Sequence, residues 1–289
     1  MKVLIFGSQG NLGCDLVRVF TDAGHEVIAH DRDTLDVTDA GAVRAAISAS
    51  GCGVVVNAVA WNDVDGAEDA AKRPLAFALN ADAPGVMAEA AKAANASFVH
   101  YSSDYVFEGT RPEGYVESDE PHPLSAYGES KLAGERAVIA AGGKSFVVRT
   151  SKLYGRPGTS VAAKPSFVSV MCTLAKTKPE LSIVDEEVGM PTYTKDLAEA
   201  TVRLVSGTYA FGTYHLVNEG LGVTWYGFAE EFFGLTGVTV PRKPVPMSAF
   251  PRPAKRPLFA PLKNTKFPPL RSRMDALKAF FAEEQAESR

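Results

Sequence analysis

Apolar and polar positions fall in alternating blocks along the first half of this chain. Residues 1–6 (MKVLIF) form a short apolar run rich in β-formers. It leads through a glycine-bearing turn into a stretch with Leu16, Val17, Val19 and Phe20 at helical spacing. Residues 25–29 (HEVIA) make a second apolar run. Residues 54–60 (VVVNAVA) are continuously apolar but for one Asn, as in a strand buried on both faces of a parallel sheet. Residues 76–94 read as one alanine-rich helix, 97–101 (SFVHY) as a strand, 127–141 as a helix and 145–149 (SFVVR) as a strand. This alternation predicts an α/β fold, a Rossmann-type doubly wound parallel sheet over residues 1–150 that binds NAD(P). After residue 150 the alternation degrades. That predicts a smaller C-terminal substrate-binding lobe from 151–192 and 221–289, with segments around 193–220 returning to the sheet.

Composition narrows the classes. The chain has 289 residues and a formal net charge of −4, which gives no reason to expect nucleic acid. Its 3 cysteines (Cys14, Cys52, Cys172) show no pair spacing and its 5 histidines are scattered, so no disulfide framework and no metal site are expected. No signal pattern precedes the first strand and no apolar run approaches membrane-spanning length, so the expectation is a soluble cytoplasmic protein. One segment is unusual. Residues 241–274 hold nine Lys or Arg, nine Pro and no acid. Such a stretch should be neither a regular helix nor a central strand. It is either a cationic cover that captures a phosphorylated substrate or a solvated loop.

Two motifs carry chemistry. Gly7-Ser8-Gln9-Gly10-Asn11-Leu12-Gly13 lies between a strand and a helix, where glycines let a diphosphate approach backbone N–H groups at the helix start. Its spacing is Gly-x-x-Gly-x-x-Gly rather than the usual Gly-x-Gly-x-x-Gly. Asp31, after the second apolar run, is placed to accept from an adenosine ribose, whereas Arg32 would favour a 2′-phosphate. Tyr127 and Lys131 sit four apart and share a helix face. A neighbouring ammonium stabilises a phenolate, so the pair predicts a tyrosine pKa brought down from about 10. The Ser102-Ser103 hydroxyls, at the carboxyl end of a strand, would steady a carbonyl oxygen while the tyrosine protonates it.

These segments together resemble the extended short-chain dehydrogenase/reductase superfamily and, within it, the dTDP-4-dehydrorhamnose reductase family. The resemblance runs over nearly the whole chain. It includes the glycine turn, Leu35-Asp36-Val37-Thr38-Asp39, Val56-Asn57-Ala58-Val59-Ala60, Val64-Asp65-Gly66-Ala67-Glu68, and Ser102-Ser103-Asp104-Tyr105-Val106-Phe107-Glu108-Gly109. Tyr127-Gly128-Glu129-Ser130-Lys131, Arg149-Thr150-Ser151, Gly189-Met190-Pro191-Thr192 and Arg256-Pro257 complete it. It implies reduction of a nucleotide-linked 4-keto sugar by NADPH or NADH; the opposed Asp31 and Arg32 predict that both cofactors are used. Ser103 would hold the ketone oxygen, Tyr127 act as general acid, Lys131 lower its pKa and bind the nicotinamide ribose, and Asn80 support a water relay to the lysine. Gly7, Gln9, Gly10, Asn11, Leu12, Asp31, Arg32, Asp36, Val37, Ala58, Val59 and Ala60 would line the cofactor with Tyr127 and Lys131. Ser103, Asp104, Tyr105, Lys152 and Arg256 would meet the nucleotide sugar. A homodimer is left open.

The chain departs from the family pattern in its substrate half. Ser103 stands for the usual Thr, Lys152 for a substrate-contacting Trp, and Glu187 for Gln; Ala260, Pro261, Leu262 and Lys263 replace a Ser followed by Leu-Asp. These changes suggest a related sugar or base. The competing expectation is a non-catalytic NADP-binding protein resembling the regulatory subunit of methionine adenosyltransferase. A 4,6-dehydratase would need an Asp-Glu pair after the hydroxyl residue, where Tyr105 follows Asp104 here; an epimerase with tightly held cofactor also stays open.

Overall fold

The computed structural model describes residues 1–161 and 163–287. Its first half runs β1 (Lys2–Phe6), α1 (Asn11–Asp22), β2 (Glu26–His30), α2 (Ala40–Ser50), β3 (Val54–Asn57), α3 (Arg73–Phe77), α4 (Ala83–Ala93), β4 (Ser97–Ser103), α5 (Ala126–Ala141) and β5 (Ser145–Thr150). After these come β6 (Leu153–Tyr154), α6 (Phe167–Ala175), β7 (Leu181–Val184), β8 (Thr192–Tyr193), α7 (Thr194–Ser206), β9 (Gly212–His215), α8 (Trp225–Thr236), β10 (Arg242–Val245) and α9 (Arg273–Glu287).

Six strands make one wholly parallel sheet in the order β2-β1-β3-β4-β5-β9. The alternation within β1 explains its layers. Val3 and Ile5 face a core shared with Leu16 and Phe20 of α1 and with Leu197 and Leu204 of α7. Leu4 and Phe6 face the other side, against Val43 and Ile47 of α2, Met87 of α4 and Val138 of α5. Each such side chain contributes about 1.5–3 kcal/mol when fully buried. From β2 the chain crosses back over β1 to β3, so the switch point, where ligands bind in open α/β sheets, lies at the carboxyl ends of β1 and β3.

The helix expected over 76–94 is interrupted. A π-helical turn, Ala78–Asp82, separates α3 from α4. Pro84 has no N–H to give the carbonyl of Asn80 four residues back, so the regular ladder fails there. The freed carbonyl points at α5, where Gly134 lets it close in: a Cβ on that glycine would lie 2.0 Å from it.

A second core gathers Tyr154, Tyr193, Phe228, Phe232 and Phe280 from the later elements. The basic, proline-rich segment is neither wholly irregular nor a loose surface loop. Its start forms β10, a strand paired with β7 in a two-stranded sheet, where Pro244 is tolerated at an edge, and its end enters α9. Between them Ala260, Leu262, Phe267 and Leu270 are buried. Among the described residues no helix is long and apolar enough to cross a membrane.

Candidate active site

At the switch point the turn after β1 brings Gly7 against the backbone of Ala58 and Val59 beyond β3. Gly13, inside α1, packs on the turn so closely that a Cβ would lie 1.9 Å from the Gly7 carbonyl oxygen. Gly10 caps α1 without a side-chain hydrogen bond, and no acid stands in the first turn, so the first N–H groups keep their partial positive charge for an anion. A dinucleotide diphosphate fits this cradle. Asn11 is fixed from two sides. Its side chain accepts from Gly158 N (3.0 Å) and donates to Lys164 O (3.0 Å), tying a loop over the turn. Asp31 is buried, with Oδ1 accepting from the N–H groups of Asp33 (2.8 Å) and Thr34 (3.2 Å). Arg32 is exposed and has no ion pair among the described residues. Asp36 turns back to Thr38, whose N–H and hydroxyl hold its carboxyl below the usual range. Val37 is buried in the core beside β1 and α2.

One strand away, the chemistry-bearing side chains converge. β4 ends at Ser103, and α5 begins at Ala126 with Ser125 capping it and Glu68 accepting from Ala126 N at 2.8 Å. Tyr127 therefore sits in the first turn, its ring edge-on to Tyr105 at 5.4 Å. The Ser103 hydroxyl donates to Asp104 Oδ1 (2.9 Å), and the Ser151 hydroxyl donates to Asp104 Oδ2 (2.5 Å). Burial pushes the Asp104 carboxyl up, with both serines and Lys152 opposing the rise. Lys131 is buried and donates to Tyr101 O at 2.6 Å; burial pulls its pKa down to about 8. Arg149 of β5 meets Glu135 of α5 in a buried bidentate pair at 2.9 and 2.7 Å, which clamps the helix to the sheet one turn past the lysine.

One expectation needs correction. The phenol of Tyr127 is not lowered in this arrangement but pushed up to about 12, by burial first and then by the Asp104 charge, with the Ser103 hydroxyl opposing. The Lys131 ammonium is turned to the Tyr101 carbonyl. The Asn80 side chain is engaged. It accepts from Trp61 N (2.9 Å) and donates to Trp61 O (3.0 Å) and Ser130 Oγ (2.9 Å), fixing the loop after β3 against α5.

The substrate half forms a charged rim. Arg256 reaches it but is held by Asp65 through two bonds of 3.0 and 2.7 Å. Arg252 pairs with Glu187, whose other oxygen accepts from the Trp225 indole at 3.1 Å. Lys152 points inward. Its ammonium donates to the carbonyls of Glu187 (2.6 Å) and Val223 (3.3 Å) and lies 4.0 Å from the centre of the Trp225 ring. Acids from elsewhere likewise meet Arg242, Lys243, Arg271 and Arg273, so the acid-free stretch is largely neutralised in three dimensions. Glu68, Ser151 and Trp225 gain roles that sequence reasoning did not give them. The first two lie inside segments that carried the resemblance; Trp225 had no signal beyond its aromaticity.

A glycine cradle at the switch point, one strand from a tyrosine and lysine sharing a buried helix face, places this chain among the short-chain oxidoreductases that use nicotinamide dinucleotides. Within that class it belongs to the family described as RmlD substrate binding domain, whose profile matches residues 1–280. It is 35% identical over 280 residues to a dTDP-4-dehydrorhamnose reductase of Burkholderia thailandensis, covering 91% of each chain. It is 38% identical over 288 residues to a probable dTDP-4,6-dihydroxy-2-methyloxan-3-one 4-ketoreductase of Streptomyces antibioticus, covering 97% of this chain and 95% of the relative. A crystal structure of dTDP-4-dehydrorhamnose reductase from Bacillus anthracis in complex with NADP superposes with a TM-score of 0.91 at 33% identity, over 98% of this chain and 99% of that one.

Proposed function

We propose that this chain reduces the 4-keto group of a dTDP-linked 6-deoxy sugar, dTDP-4-dehydrorhamnose to dTDP-L-rhamnose, with NADPH or NADH. The observation that carries the reading is the convergence of Ser103, Tyr127 and Lys131 beside the glycine turn, in a chain with close relatives named for this reaction. When bound, the reduced nicotinamide supplies the hydride. The chain's own residues do the rest. The Gly7–Gly13 turn and the start of α1 take the diphosphate. Ser103 holds the carbonyl oxygen and Tyr127, protonated at neutral pH, gives it the proton. Lys131, one turn further along α5, is the cation that steadies the phenolate left behind. Arg252 and Arg256, now on Glu187 and Asp65, are placed to turn to the substrate diphosphate.

The Streptomyces antibioticus relative bears a name for a different dTDP-linked ketone, and Lys152 supports a close analogue as the better substrate. The relatives described above carry enzyme names, so support lies with the enzyme rather than the non-catalytic reading. The test is cofactor oxidation with dTDP-4-dehydrorhamnose and other dTDP-linked 4-keto sugars, with the product identified by its gain of two mass units. No oxidation with any of them would remove the reductase reading.

A further inference from the structure

His100 of β4 lies opposite Asn57 of β3 in the parallel register, so both side chains leave the sheet on the same face. Both are buried, at 0% and 1% exposure. The imidazole stacks on Phe98, two residues earlier on the strand, at 6.4 Å between ring centres. Gly134 of α5 leaves room for its far edge: a Cβ on that glycine would come 3.3 Å from His100 Nε2. At the near edge, His100 Nδ1 stands 3.2 Å from Asn57 Nδ2. No step of the reduction uses this histidine, yet it lies between the glycine cradle and the helix that carries Tyr127 and Lys131.

A third group fixes the direction of that hydrogen bond. Val59 N donates to Asn57 Oδ1 at 3.0 Å, and a backbone N–H can only donate. The amide oxygen is therefore turned to Val59 and the amide nitrogen to the ring. An amide nitrogen also only donates, so His100 Nδ1 must accept, and the one proton of the neutral ring sits on Nε2. A second proton, on Nδ1, would set donor against donor. Burial, and then the Lys131 ammonium, hold the imidazole well below its ordinary pKa and so keep it neutral. This run of bonds ends at the cofactor crevice. Gly7 packs on the backbone it holds: a Cβ on Gly7 would lie 2.9 Å from both Ala58 C and Val59 N. Ala58 N is held separately, by Phe6 O at 2.9 Å, so the next N–H along depends on the Asn57 side chain.

We propose that His100 is a positioning residue for the dinucleotide: as an acceptor at Nδ1 it sets the Asn57 amide, which in turn holds the backbone after β3 against the Gly7 turn, where the cofactor lies. The inference rests on the nicotinamide-dependent reading of the site. It assigns His100 to cofactor affinity and not to the chemical step, since the ring is hydrogen-bonded to Asn57 and not to Ser103, Tyr127 or Lys131.

Three variants separate the acceptor from the volume. His100→Asn puts an amide oxygen where Nδ1 stands, His100→Gln puts its amide where Nε2 stands, and His100→Leu fills the space with no acceptor. His100→Asn leaves the larger cavity and should melt below His100→Leu. It should nonetheless bind NADPH within about twofold of the wild type, whereas His100→Gln and His100→Leu should bind about 3- to 10-fold more weakly, the range for one hydrogen bond. The loss should appear in the Kd and KM for NADPH and not in kcat. Nitrogen-15 NMR of the wild type labelled in its histidine rings should show His100 protonated at Nε2 and bare at Nδ1. A proton on Nδ1 overturns the inference. So does an affinity order that follows melting temperature, an unchanged affinity in His100→Leu, or a loss confined to kcat. If a variant does not fold, the ring protonation in the wild type still decides. Should the wild type reduce no 4-keto sugar, the reaction reading fails, while NADPH affinity and the NMR spectrum still settle what His100 does.

Discussion

Tyr127 and Lys131 set the pH behaviour of the site from opposite directions. Burial pushes the phenol up to about 12 and pulls the ammonium down to about 8. The tyrosine therefore carries its proton throughout the neutral range. The lysine, with a folded pKa below its ordinary value, is charged below about 8 and loses its charge as pH rises through it. Reduction at saturating NADPH should fall on the alkaline side with a limb near that value, read from a pH–rate profile. Tyr127→Phe should lower kcat by about 10²- to 10⁴-fold, the loss expected on removing a general acid, with cofactor affinity from a fluorescence titration nearly unchanged. Near-normal turnover in Tyr127→Phe would remove the phenol from the mechanism.

At the level of elements, α5 matters because it carries both groups and touches the π-helical turn at its narrowest point. Gly134 lets the Asn80 carbonyl approach where a methyl would lie 2.0 Å from it. Gly134→Ala should thus push α5 off that turn, costing about 1–3 kcal/mol of stability and moving Tyr127 and Lys131 together; calorimetry and kcat would both register it, and an unchanged melting temperature with normal kcat would show the contact to be slack. This junction also marks the limit of what the residues disclosed in advance. The strands β1, β3, β4 and β5 were legible because each is an apolar run between helical patterns, and the Ser–Tyr–Lys set was legible because its spacing is local. The break at Asn80 was not, since a run of alanines scores as helix and outweighed Pro84, and the place the freed carbonyl takes, against Gly134, is 54 positions later. The turning of Lys131 to Tyr101 and the inward course of Lys152 were hidden for the same reason: the partners are far apart in sequence. Charge misled as well, for the acid-free segment meets its counter-ions only after folding.

For the whole molecule, Glu283 of α9 ties the C-terminal helix to α1 and α7, the helices on one face of the sheet. It accepts from Lys195 of α7, Arg18 of α1 and Arg156, and from the Tyr193 hydroxyl. Burial acts to raise its carboxyl, but Lys195 and Arg18 outweigh it and hold the group below the usual range. A lowered folded pKa contributes stability that is present above the unfolded value of about 4.3 and is lost as pH falls below it. Glu283→Gln leaves the cations facing one another. It should cost about 1–2 kcal/mol, between an exposed and a buried pair, or roughly 2–5 °C in Tm for a chain of this size. The deficit should shrink below about pH 4 as the wild-type carboxyl protonates. Equal melting curves at pH 7 would show that the helix is held by its apolar face alone.

The pairing of β9 with β5 bears on the order in which the chain is made. Phe146, Val147 and Val148 find their neighbours in Gly212, Thr213 and Tyr214, so some sixty residues must leave the ribosome before that border of the sheet is closed. Until then an apolar strand stands open, a template for pairing with any other nascent chain. Fragments ended at residue 150 should collect in the pellet on centrifugation, and those ended at 220 should be markedly less prone to do so. If both remain equally dispersed, the open border is shielded by something other than β9.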